Sequence, residues 1–483
     1  MNCKRLISGG SWLLRRLCTA ATEALPPKKK ESLYRKISSL NMTGGSVSQI
    51  LNQYVMEGNV ISKRELERYV VELRKYRKFQ HALEIMEWLE RRKINFALND
   101  YAVYLDLVSK TKGVAAAENY FSGLPPRAKN KFTYGALLNC YCKELMTDKA
   151  LAHFRKMDEL HYVTNLAFNN LMTLYIRLGQ PEKVPQLVED MKQRKIPLND
   201  FTYHIWMNSL GNLNDLDGVE RVYDEMKREN NDKIDWHTYC NLTSIYVKAK
   251  QFEKAESMLK MLEEKAKPSM RDAYHFMLYL YAGTSNLQEV HRVWNSLKTV
   301  SPVTSTSYLT MMRALRKLND TEGIIKCFKD WESNTVGYDI RLVSIAVSAY
   351  LSQNLYEEAE SLFKKATCKS KGPFFKIHES FMIYFLEKRQ LDNAMSHLEA
   401  LVSESKWHPT PELVGAFLKY YEETDLDGVE ELCRIFKSYN YDDSWLTTYI
   451  TASKVSPEAH QMLKEDSQAN HELQNLQADM HSG

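Results

Sequence analysis

The sequence predicts an all-α protein, a right-handed α-solenoid of about eleven helix-turn-helix repeats of about 35 residues. Three observations predict it. Gly and Pro number only 18 and 13 in 483 residues, which disfavours a turn-rich β architecture and excludes a collagenous chain. A small or β-branched residue recurs at intervals of 33 to 36 residues: Ala82, Ala117, Ala150, Val184, Val219, Ala255, Val290, Ile324, Ala359, Ala394 and Val429. Apolar residues follow it four and seven positions later, as in Ala150/Phe154/Met157, Val219/Tyr223/Met226 and Ala255/Leu259/Leu262. That spacing is one stripe of an α-helix.

The chain opens with an expected targeting segment. Residues 1–22 hold no acid, four cations and Leu6, Ile7, Leu13, Leu14 and Leu17, the composition of a transit peptide. Arg15 and Arg16 interrupt the apolar stretch, so a secretory signal fits less well. Arginine outweighs hydroxyl residues near the start, which favours the mitochondrion, with the plastid as second choice. Residues 1–30 are therefore read as a mitochondrial transit peptide and linker, and the linker composition continues to residue 45. A divergent N-terminal helix is expected over 46–62, the repeat array over 63–443, and a cap helix with a polar tail over 444–483.

Within the array each unit is expected to form two antiparallel helices. In the fourth, helix A runs from about Phe168 to Leu178, Gly179-Gln180-Pro181 supplies the break, and helix B runs to about Lys192. One hairpin cannot bury its own apolar stripe. Stacking makes the core continuous, and the small column lets the helices approach closely.

Charge and motifs bound the function. The net charge is +4, yet residues 1–30 contain seven cations and one acid, so the rest of the chain is close to neutral. Any surface for a polyanion must then be confined to one face or one part of the chain. No run of about 18 apolar residues occurs. Eight Cys is far below the density of a disulfide scaffold. The combination of His-x-Glu with a later Cys-x-x-Cys is absent, as are a Gly-x-x-x-x-Gly-Lys loop and a Gly-x-Ser-x-Gly elbow. Cys140 and Cys142 are read as small core residues rather than ligands, and the 13 His are scattered. No enzymatic activity, metal or cofactor is expected.

The units resemble pentatricopeptide repeats, helical hairpins abundant in plant organelle proteins. The resemblance is carried by Phe132-Thr133-Tyr134, Tyr141-Cys142-Lys143, Asp148-Lys149-Ala150-Leu151 and Phe154-Arg155-Lys156-Met157, and it covers about four-fifths of the chain. Tetratricopeptide repeats share part of this logic, but their Leu-Gly pair before the first-helix tyrosine is missing. The resemblance is to the P-type, with repeats only and no deaminase tail. It implies binding of single-stranded organellar RNA, one base per repeat. In the family the second residue of a unit sandwiches a base, the fifth and last residues choose it, and a cation near position thirteen meets phosphate.

Carried over on those terms, Phe132, Leu166 and Phe201 would stack bases, and Lys75, Lys110, Lys143, Arg177 and Lys248 would meet the backbone. That cationic column ends in Glu387 and Glu422, which places the expected contacts in the first half. Asn169 with Asn199 fits a pyrimidine-associated pair, and His204 with Asp235 retains an acceptor. The remaining pairs, such as Cys240/Met270 and Glu379/Pro409, depart from the family pattern and would not specify a base. The expected function is single-stranded RNA binding in mitochondrial RNA processing, stability or translation. The alternative is a scaffold or interaction protein docked on the mitochondrial ribosome, for which Trp236, Trp294 and Trp331 are candidate surface residues, although the last two fall in the helix B stripe. Expected partners are single-stranded organellar RNA, and for the alternative the ribosome or other RNA-processing proteins.

Overall fold

The apolar stripe of each predicted helix needs a partner, and the chain supplies one every 35 residues. The computed structural model describes residues 32–40, 45–229, 234–267, 270–300, 302–334, 338–370, 372–402, 407, 409–422 and 434–435. The expected transit peptide and the tail after 444 lie outside them. Among the described residues the regular elements are α-helices with two short 3-10 turns, and no strand occurs.

The first helices of the repeats are α3 (Lys63–Lys75), α5 (Asp100–Lys112), α7 (Lys131–Lys143), α9 (Asn165–Arg177), α11 (Asp200–Asn212), α13 (Trp236–Lys248), α15 (Arg271–Gly283), α17 (Ser305–Lys317), α19 (Ile340–Ser352), α21 (Phe375–Glu387) and α23 (Pro411–Glu422). Their partners are α4 (Phe79–Arg91), α6 (Val114–Gly123), α8 (Thr147–Glu159), α10 (Val184–Gln193), α12 (Leu216–Glu229), α14 (Phe252–Lys265), α16 (Leu287–Val300), α18 (Thr321–Asn334), α20 (Tyr356–Lys369) and α22 (Leu391–Val402). We call the two sets the A and B layers. Ahead of them stand α1 (Leu33–Ser38) and α2 (Val47–Met56). α1 corrects the reading of residues 31–45 as linker: Ser32 caps it by accepting the Arg35 N–H at 3.3 Å, and Leu33 and Ile37 are buried.

The chain divides into two compact units, before and after the Cys140–Tyr141 bond. In the first, α2 is fastened to α4 by the Val47 N–H on Glu84 at 2.8 Å and by Trp88 Nε1–H on Asn52 Oδ1 at 2.9 Å. In the second, one apolar cluster runs from Tyr203 to Tyr421 with a smaller one around Phe168 and Met172. Every described member of the small column, from Ala82 to Ala394, is buried. Trp294 and Trp331 are buried too, the latter 1% exposed, so of the three candidate tryptophans only Trp236 keeps partial exposure.

One repeat departs from the expected register. The Asp100 carboxylate accepts the Ala97 N–H at 2.7 Å and binds Lys63 Nζ at 2.7 Å, which folds residues 97–99 into a turn. Helix α5 therefore starts two residues late. Tyr101 and Lys112 occupy the second and thirteenth positions there, not Asn99 and Lys110. The small column hides this shift, because it is fixed by the B helices.

Most turns from A to B carry a non-glycine residue in the left-handed region: Arg77, Leu145, Asn214, Lys250, Ser285, Asn319, Asn354 and Arg389. Gly113 and the expected Gly179 are exceptions. A left-handed L-residue costs about 1–2 kcal/mol, so packing imposes this turn against local preference. Among the described residues, ion pairs tie successive B helices of the second unit together: Arg194–Asp158, Lys192–Glu225, Lys254–Glu220, Arg292–Glu263, Lys298–Asp330 and Lys365–Glu332.

His378 stands where most A helices carry an aromatic ring, and its Nδ1 lies 2.9 Å from His397 Nδ1 among Phe363, Phe381 and Phe385. The ring centroids are 5.1 Å apart. The two nitrogens lie between the rings, so one Nδ1–H points nearly head-on at the lone pair of the other Nδ1. One Nδ1–H donates to the other; the pair does not converge on a common ion. Burial holds both imidazoles neutral and lowers the His397 pKa to about 4.

Two outcomes follow from this packing. Leu145→Gly relieves a left-handed turn at an exposed side chain and should raise stability by about 0.5–1 kcal/mol in urea melts; a lowered midpoint contradicts the turn assignment. The unfolded chain binds protons at these histidines near pH 6.5, and burial lowers both pKa values in the folded chain, that of His397 to about 4, so their stabilising contribution is complete above 6.5 and is lost as pH falls below it. His378→Phe with His397→Leu should flatten the melting temperature between pH 7 and 5 relative to the unsubstituted chain.

Candidate nucleic-acid interface

The charge of the second unit is sorted between its layers. From α9 to α19 the A helices carry seven Lys or Arg against two acids, Asp200 and Asp272, both in a first turn. From α10 to α20 the B helices carry fourteen Lys or Arg against eighteen acids. The near-neutral total therefore conceals a positive A layer. This signal is readable in the sequence once helix limits are known, and column-by-column reading of the repeats missed it. It also carries cations past the first half, to Arg313 and Arg316 beside Lys317, which the thirteenth-position column already contained.

The second-position residues divide by exposure. Leu166 is 56% exposed at the start of α9, and in the first unit Phe132 is 46% exposed with Lys131 Nζ 5.4 Å from its ring centroid. Phe201 is half-buried, leaning on the cluster around Phe168 and Ile205. His237 follows it in the column, with Nδ1 2.6 Å from Asp235 Oδ2.

In the second unit the fifth-position residues from Asn169 to Leu309 are not open. Asn169 is 2% exposed; the Thr202 hydroxyl lies 2.9 Å from its Oδ1 and 2.7 Å from Asn199 Oδ1, while Asn199 also caps α11 by accepting the Thr202 N–H at 2.9 Å. One turn of the array later, His204 Nε2 lies 2.9 Å from Thr238 Oγ1, whose proton goes to Asp235 Oδ1 at 3.2 Å. The imidazole Nε2–H therefore donates. Burial would raise the Asp235 pKa, but the His237 hydrogen bond and charge hold it below the ordinary carboxylate value. His275 repeats the pattern on Ser307 at 2.9 Å, with Thr304 capping α17. Glu379 is closed by Trp407 Nε1–H at 2.9 Å and the Thr410 N–H at 3.2 Å, and burial raises its pKa.

The motif has a physical logic. A cap residue, a hydroxyl at the third position and the fifth residue of the previous A helix form one buried hydrogen-bonded step between repeats. It satisfies helix N–H groups and polar side chains together. The residues expected to choose bases are the ones that join consecutive hairpins. Asn199 and Asp235 keep exposed edges; Asn169 and His204 do not.

The thirteenth-position cations also differ among themselves. Lys143 and Lys248 are exposed in the last turns of α7 and α13. Arg177 Nη1–H donates to the Lys143 carbonyl at 2.9 Å, so it stitches α9 to the end of α7 as well as bearing charge. In the first unit Lys110 is bound to Asp106 at 2.9 Å, a carboxylate shared with Arg74 at 3.1 Å, and Lys75 is exposed. Lys110 is thus corrected from a thirteenth-position cation to part of a local ion triad.

Comparison with known proteins identifies the repeats. The PPR repeat model matches residues 132–162, 201–231, 237–265 and 343–369, and the PPR repeat family model matches 163–212. A mitochondrial pentatricopeptide repeat-containing protein of Arabidopsis thaliana is 49% identical, covering 93% of this chain and 86% of the relative. A second mitochondrial protein of that description from the same plant is 46% identical over 92% and 91%. The large ribosomal subunit protein mL101 of Arabidopsis thaliana is 37% identical over 90% of this chain and 91% of its own.

The buried step should behave as structure. Thr202→Val removes a hydroxyl that serves two amides and should lower stability by about 1–3 kcal/mol. Thr202→Ser, which keeps the hydroxyl, should lose much less. Equal losses in denaturant titrations would mean the hydroxyl plays no part.

Proposed function

This chain belongs to the pentatricopeptide repeat family, and from that premise we propose that it is a mitochondrial protein that binds single-stranded RNA along its A layer and acts in RNA processing, stability or translation. The observation that carries the reading is the sorting of charge. A polyanion is attracted to the acid-poor A layer and repelled by the acidic B layer. In the second unit exposed Leu166 offers a surface for a base, and Lys143, Arg177 and Lys248 offer charge for phosphates; in the first unit exposed Phe132 offers a surface of the same kind. Because Asn169, His204 and His275 are held inside the repeat junctions, recognition relies on backbone and stacking, with Asn199 and Asp235 as the residues whose exposed edges can favour one base over another. In this reading residues 1–30 are the import signal, and the protein works by occupying RNA rather than by catalysis.

A second reading, docking on the mitochondrial ribosome, is favoured by one observation: a ribosomal protein is 37% identical over nearly the full length of both chains. The two differ in what crosslinks to the protein. Crosslinking of the mature protein in mitochondria should give a confined footprint on transcripts; ribosomal RNA as the dominant product, with co-sedimentation at salt that strips loose RNA binders, selects the scaffold.

Lys143→Glu with Lys248→Glu should weaken binding of a labelled 24-nucleotide oligouridine at least tenfold and reduce the salt dependence by about 1.4 logarithmic units per decade, with melting unchanged. Unaltered affinity at low salt overturns the A-layer assignment.

A further inference from the structure

We propose that Tyr279, Arg313 and Lys317 form a second nucleotide site, taking one phosphate and the adjoining base of a single strand. It lies between residues 266 and 342, where the repeat models find no match. The proposal rests on the RNA-binding reading above and deepens it.

Two consecutive A helices break a pattern here. At the ninth position the other A helices from α7 to α19 carry short polar side chains, namely Asn139, Thr173, Asn208, Ser244 and Ser348. α15 places Tyr279 there, and α17 places Arg313. Tyr279 and Gly283 are four residues apart on α15, as Arg313 and Lys317 are on α17, so each pair shares a stripe. Lys317 Nζ stands 5.0 Å from the Tyr279 ring centroid. A Cβ at Gly283 would lie 3.4 Å from that Nζ and 3.0 Å from Val247 Cγ1. A Cβ there would only touch the end of the Lys317 chain and would press instead on Val247, so Gly283 marks how closely the Lys317 ammonium lies over α15.

The electrostatics point the same way. α17 contains no acid. The nearby carboxylate, Asp339, is engaged by Arg341 at 3.0 and 2.7 Å; burial opposes its ionisation, and the charges of Arg341 and Arg313 bring its pKa below the ordinary value. Cations therefore exceed acids on this wall. A ring beside a clustered ammonium and guanidinium suits the alternation of base and phosphate in a single strand. Neither the second-position residues Asp272 and Thr306 nor the buried fifth-position His275 offers stacking here. The ninth and thirteenth positions take over that task.

The test is fluorescence anisotropy of the full chain with a labelled 24-nucleotide oligouridine. Arg313→Glu with Lys317→Glu should weaken binding at least tenfold and lower the salt dependence. Tyr279→Leu, which keeps apolar bulk but removes the aromatic face, should weaken binding about fivefold or more and leave the salt dependence alone, whereas Tyr279→Phe should bind normally. If these variants bind like the unsubstituted chain while Lys143→Glu with Lys248→Glu loses affinity, the second site is wrong and RNA binding stands. If neither set matters, both proposals fall.

Discussion

The structure depends on one constraint: a hairpin of two short helices cannot bury its apolar faces without a neighbour. Ala82, Ala117, Ala150 and their successors are small because the second helix must reach the first at close range, and every described one is buried. The rest follows from meeting that constraint repeatedly. The A layer must join to the next A layer, and the B layer to the next B layer, with little material at each junction.

The two layers solve the joining problem by different physics. The B layer uses exposed ion pairs such as Lys192–Glu225 and Lys298–Asp330, individually weak and screened by salt. The A layer uses buried steps such as Asn169–Thr202–Asn199, in which every polar atom lost from water finds a partner. The division leaves the acids on one side. A layer joined mainly by hydroxyls, amides and imidazoles, with a carboxylate at a few steps such as Asp235 and Glu379, carries few acids on its helices, so its cations Lys248, Arg313 and Lys317 set the sign of its field. Structural economy in the A layer thus produces the electrostatic condition for holding a polyanion.

The same economy limits what can be read. A side chain that links repeats cannot at once turn to an incoming base, so the fifth column contributes rigidity where a long base code would need free edges. Backbone charge and ring surfaces at the second and ninth positions remain. Such a surface suits a protein that holds RNA in place, alone or within a larger particle.

The sequence by itself determined the solenoid, the length of the repeat, the hairpin in each unit and the resemblance to its family, because a buried small column and a helical stripe leave periodic marks that no long-range contact can erase. It also marked Phe132 and Leu166 as second-position residues, since their place is counted from the helix start. Only the tertiary structure decided which side chains are open. Asn169 and His204 are closed by hydroxyls 33 and 34 residues away. Lys110 left its expected column because Asp100 folds a turn before α5. Lys317 meets Tyr279 because α15 and α17 pack side by side. Periodicity records the environment a residue shares with its column; a hydrogen bond or a ring contact depends on one neighbour in particular, and that neighbour is chosen by packing.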